Sequence, residues 1–215
     1  METSRQRLLE MLQYRGHATV DDLARSLGLA APTVRRHLDI LQRDGLVAYR
    51  LGRQKTGRPE HLYYLTEQGQ EALPKAYQNL LAWLIEELQS SHPANLSLDS
   101  VLSRVAVRML APVLESVTPG ASPLERLQAL HRLLQMNHFS PHTEPLPTGV
   151  RIRLSNCPFR AVAKAYPAIC ALDKSLIATT LGAEPVREQC LPMGHTSCVY
   201  LLYWEGQPPA LGKIE

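Results

Sequence analysis

Residues 31–45 read "APTVRRHLDILQRDG", and the fold of the N-terminal part turns on this stretch. Val34, Leu38 and Leu41 recur at i, i+4 and i+7, the spacing of one buried stripe on an α-helix. Pro32 falls in the first turn, where its missing N–H is no loss. Ala30 or Ala31 would be the cap, and alanine caps poorly. Gly45 ends the helix. With the stripe turned inward, Pro32, Thr33, Arg35 and Arg36 project outward near the N-terminal end. Immediately before lies "ATVDDLARSLGL" (18–29), in which Thr19 caps a helix, Asp22 completes a variant capping box, and Leu23 and Leu27 share a face. Gly28 permits the left-handed residue that stops this helix. Further back, Leu8, Leu9 and Leu12 mark a helix over 4–15 that ends at Gly16. Forward, "LVAYRL" (46–51) and "HLYYLT" (61–66) are strands around the loop "GRQKTGRPE" (52–60). Three helices followed by a hairpin is the winged helix-turn-helix plan, which fixes a first domain at 1–66.

That plan assigns work to the exposed residues. The second helix of a helix-turn-helix enters the major groove, and its N-terminal end meets the bases. Arg35 and Arg36 match the two acceptors of guanine, and Thr33 suits a base edge or a thymine methyl. The stretch 50–58, "RLGRQKTGR", holds four cations and no acid. Alone it would be a solvated loop. On a wing, Arg53, Lys55 and Arg58 lie along phosphates, positioning the protein and making affinity salt-dependent. The block 4–66 resembles bacterial regulators of the ArsR/DeoR winged-helix type.

The whole chain has 215 residues, 45% of them apolar, enough for two modest domains each with a core. The net charge of +3 decides nothing by itself. No segment approaches the ~18 consecutive apolar residues of a membrane helix, and the mixed, charged start "METSRQRLLEMLQ" is not a signal peptide. The expectation is a cytoplasmic protein, whose thiols stay reduced. From Thr66 the sequence predicts a long helix, "TEQGQEALPKAYQNLLAWLIEELQ", kinked or restarted at Pro74. Its apolar face of Tyr77, Leu80, Leu81, Leu84 and Leu88 is too wide for a lone helix, so 67–92 serves as a linker or dimerisation helix packed on a second subunit or on the C-terminal domain. Residues 90–97, "SSHPANLS", form a linker. Beyond it come helices near 98–117 and 123–137, a proline-rich loop over 138–148, a strand (150–155), helices (158–166 and 168–181) and a hairpin (185–191 and 197–204). The C-terminal domain spans 97–206 and a tail 207–215. The fold class is mainly α with small β elements, an α+β chain.

All four cysteines, Cys157, Cys170, Cys190 and Cys198, stand in this last part, spaced C-x12-C-x19-C-x7-C with no CxxC. The pattern matches no zinc finger or ribbon. Cys157 precedes Pro158, so a helix N-terminus is expected to lower its pKa. Cys170 follows Pro167 near the start of the next helix. Cys190 and Cys198 are symmetric about Gly194; a turn there sets them opposite each other, Cβ atoms ~4.5–5.5 Å apart. Two helix-start thiolates and two hairpin thiolates can then converge. Buried core cysteines and a Cys190–Cys198 redox disulfide are the other readings of the same residues.

"LTEQGQEALPKAY", the leucine-rich helix, "NCPFRAVAKAYPAIC", "PVREQCLPMGHTSC" and "VYLLY" together resemble the SufR family of iron–sulfur-sensing repressors of cluster-assembly operons. The resemblance implies a homodimer with an iron–sulfur cluster on C-terminal cysteines, 4Fe–4S ahead of 2Fe–2S, bound to a palindromic operator in double-stranded DNA upstream of suf genes. Cys157, Cys170 and Cys198 match the family's first, second and last cysteines. The third departs from it: the cyanobacterial pattern has a cysteine about where this chain has Glu184. Cys190, six residues on, is taken as third ligand because thiolate suits iron–sulfur clusters better than carboxylate. Glu184 and His195 are the other candidates, whereas His142 shows no ligand spacing. A zinc site or a thiol/disulfide switch on the same cysteines is the alternative. No phosphate loop, Ser-His-Asp order or HExxH is present, so no enzyme, no small-molecule substrate and no membrane partner is expected.

Overall fold

The computed structural model describes residues 4–52, 60–90, 97–114 and 120–203. The chain forms two compact units, Met1–Pro74 and Lys75–Glu215.

The first unit runs α1 (Ser4–Arg15), α2 (Val20–Leu27), α3 (Ala31–Arg43), β1 (Val47–Gly52), β2 (Glu60–Leu65) and α4 (Glu67–Glu71). The capping box forms as the residues predict: the Asp22 amide donates to Thr19 Oγ1 at 3.1 Å, and the Thr19 amide donates to Asp22 Oδ2 at 3.3 Å. Gly28 closes α2 at φ +65°, left-handed backbone that a side chain would strain. α3 begins after Ala30 with no side-chain cap, and Pro32 in its first turn. Leu8, Leu12, Leu23, Val34, Leu38 and Leu41 meet in one core. β1 and β2 form an antiparallel hairpin with Tyr49 opposite Tyr63. Ala18 adds a bridge to β2, exchanging hydrogen bonds of 3.0 and 2.9 Å with Tyr63. This is a winged helix-turn-helix.

Of the two outcomes expected at Pro74 for the helix that begins after Thr66, a kink or a restart, the chain shows the restart. α4 stops at Glu71, the chain passes through Pro74 outside any helix, and α5 starts at Tyr77. Proline both lacks the helical N–H and drives its predecessor out of the α region, so the restart wins over the kink.

The second unit continues with α5 (Tyr77–Ser90), α6 (Leu98–Leu114), α7 (Pro123–Met136), β3 (Pro141–Leu146), β4 (Gly149–Leu154), α8 (Arg160–Ala165), a 3₁₀ turn (Pro167–Cys170), α9 (Ala171–Leu181), β5 (Val186–Gln189), a second 3₁₀ turn (Leu191–Met193) and β6 (Cys198–Tyr203). The four strands form an antiparallel sheet in the order β3-β4-β6-β5, with Ile152 opposite Tyr200 and Leu154 opposite Cys198. Val150, Ile152, Tyr200 and Leu202 pack with Leu102, Leu130 and Leu176 of the helices in one core. The proline-rich loop expected over 138–148 is largely strand β3. Pro141 and Pro145 are tolerated because β3 is an edge, where a missing N–H breaks no ladder on the open side.

α5 packs on α6. Leu80 is buried, and Tyr77, Trp83 and Leu84 pack against the core, whereas Leu81, Ile85 and Leu88 stay exposed at i, i+4 and i+7. The buried Glu87 carboxylate accepts from Arg104 Nε at 2.7 Å and from Arg108 Nε, tying the two helices together. Burial alone would raise the Glu87 carboxyl, but hydrogen bonds from both arginines outweigh it and hold the group below the ordinary carboxylate range.

Candidate functional site

Two places carry chemistry, one in each unit. In the first, α3 presents Pro32, Thr33, Arg35 and Arg36 to solvent while Val34, Leu38 and Leu41 are buried. Arg35 and Asp39, one turn apart, line a groove of about 430 Å³ with Glu60, His61 and Tyr63 of β2. Tyr49 stacks on His61 with ring centroids 4.0 Å apart, giving the hairpin an aromatic surface that the sequence reading missed. The signal was the run of rings on two strands. Arg53, Lys55 and Arg58 lie outside the described residues.

In the second unit the chain brings the cysteines together from four segments. Cys157 sits in the loop after β4, and Cys170 ends the first 3₁₀ turn at the foot of α9. Cys190 precedes the second 3₁₀ turn, and Cys198 opens β6. Cys157, Cys170 and Cys198 line one small cavity with Phe139, Phe159 and Asp173. Cys190 is not among the residues lining that cavity, but its thiol neighbours those of Cys170 and Cys198. The Leu191 amide donates to Cys198 Sγ at 3.2 Å. Each thiol lies within electrostatic reach of another: Cys157 of Cys170, Cys170 of Cys190, and Cys198 of both Cys157 and Cys190. All four are free.

Two expectations need correction here. Cys157 is not at a helix N-terminus. α8 starts only at Arg160, after a turn in which the Arg160 amide bonds the Cys157 carbonyl at 3.3 Å. Its thiol is therefore not acidified; burial first, and the Asp173 charge second, push it up to about 12. Burial and Asp173 do the same to Cys170, also to about 12, and raise Cys198 as well. Cys190 and Cys198 lie one step beyond the last ladder pair, Gln189 opposite Val199, in the register set by a bulge after Arg187, and a 3₁₀ turn between them leads to Gly194, where the chain reverses at φ +97°.

The residue that organises this cavity electrostatically is Asp173, which sequence reasoning passed over. It is a lone acid on a helix between Leu172 and Leu176, at a buried position, which is the signal that marks it. Tyr200 Oη donates to its Oδ2 at 2.7 Å, and the Lys174 amide to its Oδ1 at 3.2 Å. Burial nonetheless pushes its carboxyl up to about 6. The other ligand candidates point elsewhere. His195 is exposed and turns Nδ1 to the Cys190 backbone, 3.1 Å from its carbonyl. Glu184 is exposed and pairs with Lys174 at 3.2 Å.

Among the described residues, no three His, Cys, Asp or Glu side chains are grouped to hold one metal ion. An iron–sulfur cluster asks for something different, because it presents a separate iron to each thiolate and needs no common point. An all-sulfur set of four free, neighbouring thiols has the donor chemistry for it. The cavity measures about 10 Å³, room for about one water. The donors fit a cluster, and the walls must part to admit it.

Residues 1–48 match the family model for winged helix-turn-helix DNA-binding domains. With the fold of the first unit, that match defines the class: a DNA-binding transcriptional regulator of the winged-helix type. Among solved structures, the chain is similar to PadR of Bacillus subtilis in complex with operator DNA. The identity is 16%, over 62% of this chain and 90% of that one, with a TM-score of 0.29. No curated protein matches the chain. No described helix is long and apolar enough to cross a membrane.

Proposed function

We propose that the protein is a homodimeric repressor of iron–sulfur cluster assembly (suf) genes that senses cluster status through its C-terminal cysteines. The observation that carries this reading is the gathering of four free thiols, distant in sequence, around one cavity and its rim. Cys157, Cys170, Cys190 and Cys198 would hold the cluster, 4Fe–4S in preference to 2Fe–2S. When bound, it would supply a centre labile to oxidation and to iron scarcity. The exposed Leu81, Ile85 and Leu88 stripe of α5 supports pairing with a second copy, since its 3.5-residue spacing is that of a two-helix seam. Two copies of α3 would then read a palindromic operator, Arg35 and Arg36 at base edges and the wing cations Arg53, Lys55 and Arg58 on phosphates.

Anaerobic purification with iron and sulfide counts, followed by gel shifts of loaded and cluster-free protein, tests this. A brown protein that grips the operator more tightly when loaded is expected, with iron lost in Cys190→Ser. A colourless zinc protein, or equal operator affinity of the two forms, would refute it. One observation favours a second reading. The proximity of Cys170 and Cys190 suits a disulfide switch, in which the two thiols give up two protons and two electrons to hydrogen peroxide, forming one S–S bond and two waters. Peroxide-dependent crosslinking of that pair in cluster-free protein distinguishes it.

A further inference from the structure

The loop that carries Cys157 is fastened on both sides to the segment by which the chain leaves the DNA-binding unit. Lys75 is the first residue of the second unit. Its Nζ donates to Asn156 Oδ1 at 3.2 Å. The next amide, of Ala76, donates to the Pro158 carbonyl at 3.3 Å. Tyr77, which opens α5, accepts from the Ala161 amide on its phenol oxygen at 3.0 Å. Three successive residues, 75 to 77, thus meet positions 156, 158 and 161, which bracket Cys157. Asn156 in turn is tied to the residues that follow α7. It is buried, its Nδ2 donates to the His138 carbonyl at 2.6 Å, and its own amide bonds the Phe139 carbonyl at 3.1 Å.

We propose that Lys75, Ala76 and Tyr77 form a clamp on the Cys157 loop, and that this clamp carries the ligand state of the thiols to the DNA-binding unit and to the root of α5. The inference rests on the reading of the thiols as a sensing site. Its physical basis is the stiffness of the path. The cavity holds about 10 Å³, so anything bound between Cys157, Cys170 and Cys198 must displace a wall. Cys157 is only partly buried and sits on a loop, whereas Cys170 and Cys198 are buried within regular elements. The Cys157 loop is therefore the wall that moves most readily, and residues 75–77 are bonded to it. Lys75 and Tyr77 are positioning residues in this role, although the Lys75 ammonium also lies within electrostatic reach of the Cys157 thiol.

The test uses the full chain with Lys75→Met and Tyr77→Phe, singly and together, substitutions that keep the side-chain bulk. Wild type is expected to show a loaded-to-free ratio of operator affinities within about 5–150-fold, the usual span of such coupling. In the double variant that ratio should fall to within about threefold of one, while iron and sulfide content and the visible spectrum stay as in wild type. An undiminished ratio overturns the clamp. A wild-type ratio of one overturns the sensing reading instead, and a second arm then decides the clamp without any cofactor. In the cluster-free chain, Cys157→Leu should speed hydrogen exchange at the Ala76 and Ala161 amides about tenfold or more, with the β4–β6 ladder still protected. Unchanged exchange at both amides, in this variant and in the milder Cys157→Val, overturns the clamp whatever the thiols bind.

Discussion

Replacing Asp173 by asparagine should make the protein more stable at neutral pH, against the usual direction for a core substitution. The carboxyl is buried among three thiols and titrates at about 6 instead of 3.8, with burial the cause and the Tyr200 hydrogen bond only a partial offset. That rise corresponds to about 3 kcal/mol. The folded-state value lies above the unfolded one, so between about pH 4 and pH 6 the folded chain holds a proton that the unfolded chain has lost. Wild-type stability therefore falls as pH rises through that window and is flat in this respect above it. Asparagine cannot ionise, yet its Oδ1 still accepts from Tyr200. Urea denaturation of both proteins at about pH 4 and about pH 7 should show the difference between them moving by up to about 3 kcal/mol in favour of the variant. A difference independent of pH refutes the reasoning. The same variant has a second readout. After burial, Asp173 is the next cause of the raised thiols of Cys157, Cys170 and Cys198, so iodoacetamide should label them faster once the carboxylate is gone.

Two further outcomes rest on packing. Gly149 pairs with Tyr203 in the β4–β6 ladder, and a Cβ on it would overlap the Leu202 carbonyl. Gly149→Ala should cost about 1–3 kcal/mol or more and lower the melting temperature of the C-terminal unit. Glu87→Gln should weaken the attachment of α5 to α6. Because the Glu87 carboxyl is held below its ordinary value, wild type should lose that attachment as pH falls below the usual carboxylate range, and the variant should show no such acid limb in hydrogen exchange of α5.

The first unit was legible from sequence because each of its elements is fixed locally. Val34, Leu38 and Leu41 declare their helix by period, Thr19 and Asp22 declare a cap by a three-residue offset, and both appear in the structure. Pro74 was legible as an interruption, but whether a helix bends or restarts there depends on the packing open to residues 77–90, and α5 finds its own partners in α6. β3 was hidden because Pro141 and Pro145 argue against a strand unless the strand is known to be an edge, and edges are a property of the sheet. The environment of the thiols was hidden for a related reason. The Cys-Pro pair suggested a helix start with an acidified thiol, while the cavity around Cys157 is made by Phe139, Phe159 and Asp173 from three separate elements. Tyr200, the partner of Asp173, lies 27 residues away on β6, in the core it shares with Leu172 and Leu176 of α9.

A site in which burial and the Asp173 charge keep Cys157, Cys170 and Cys198 protonated is restricted in what it can hold. Cys157 and Cys170 stand at about 12, so making each a thiolate at neutral pH costs about 7 kcal/mol. Any centre held through these sulfurs must repay that cost with bonds to sulfur. Oxygen-preferring cations such as magnesium and calcium cannot, whereas sulfur-loving centres can. The same cost explains why occupancy can act as a signal. A cavity already open and ionised would accept its group without moving. Here the walls are closed, the Asp173 charge opposes ionisation, and the Cys157 loop is bonded to residues 75–77. Binding must reverse the first two, and the work done against them appears as displacement at the third. Weakening the opposition, as in Asp173→Asn, should therefore ease loading of the site while shrinking the structural difference between its two states.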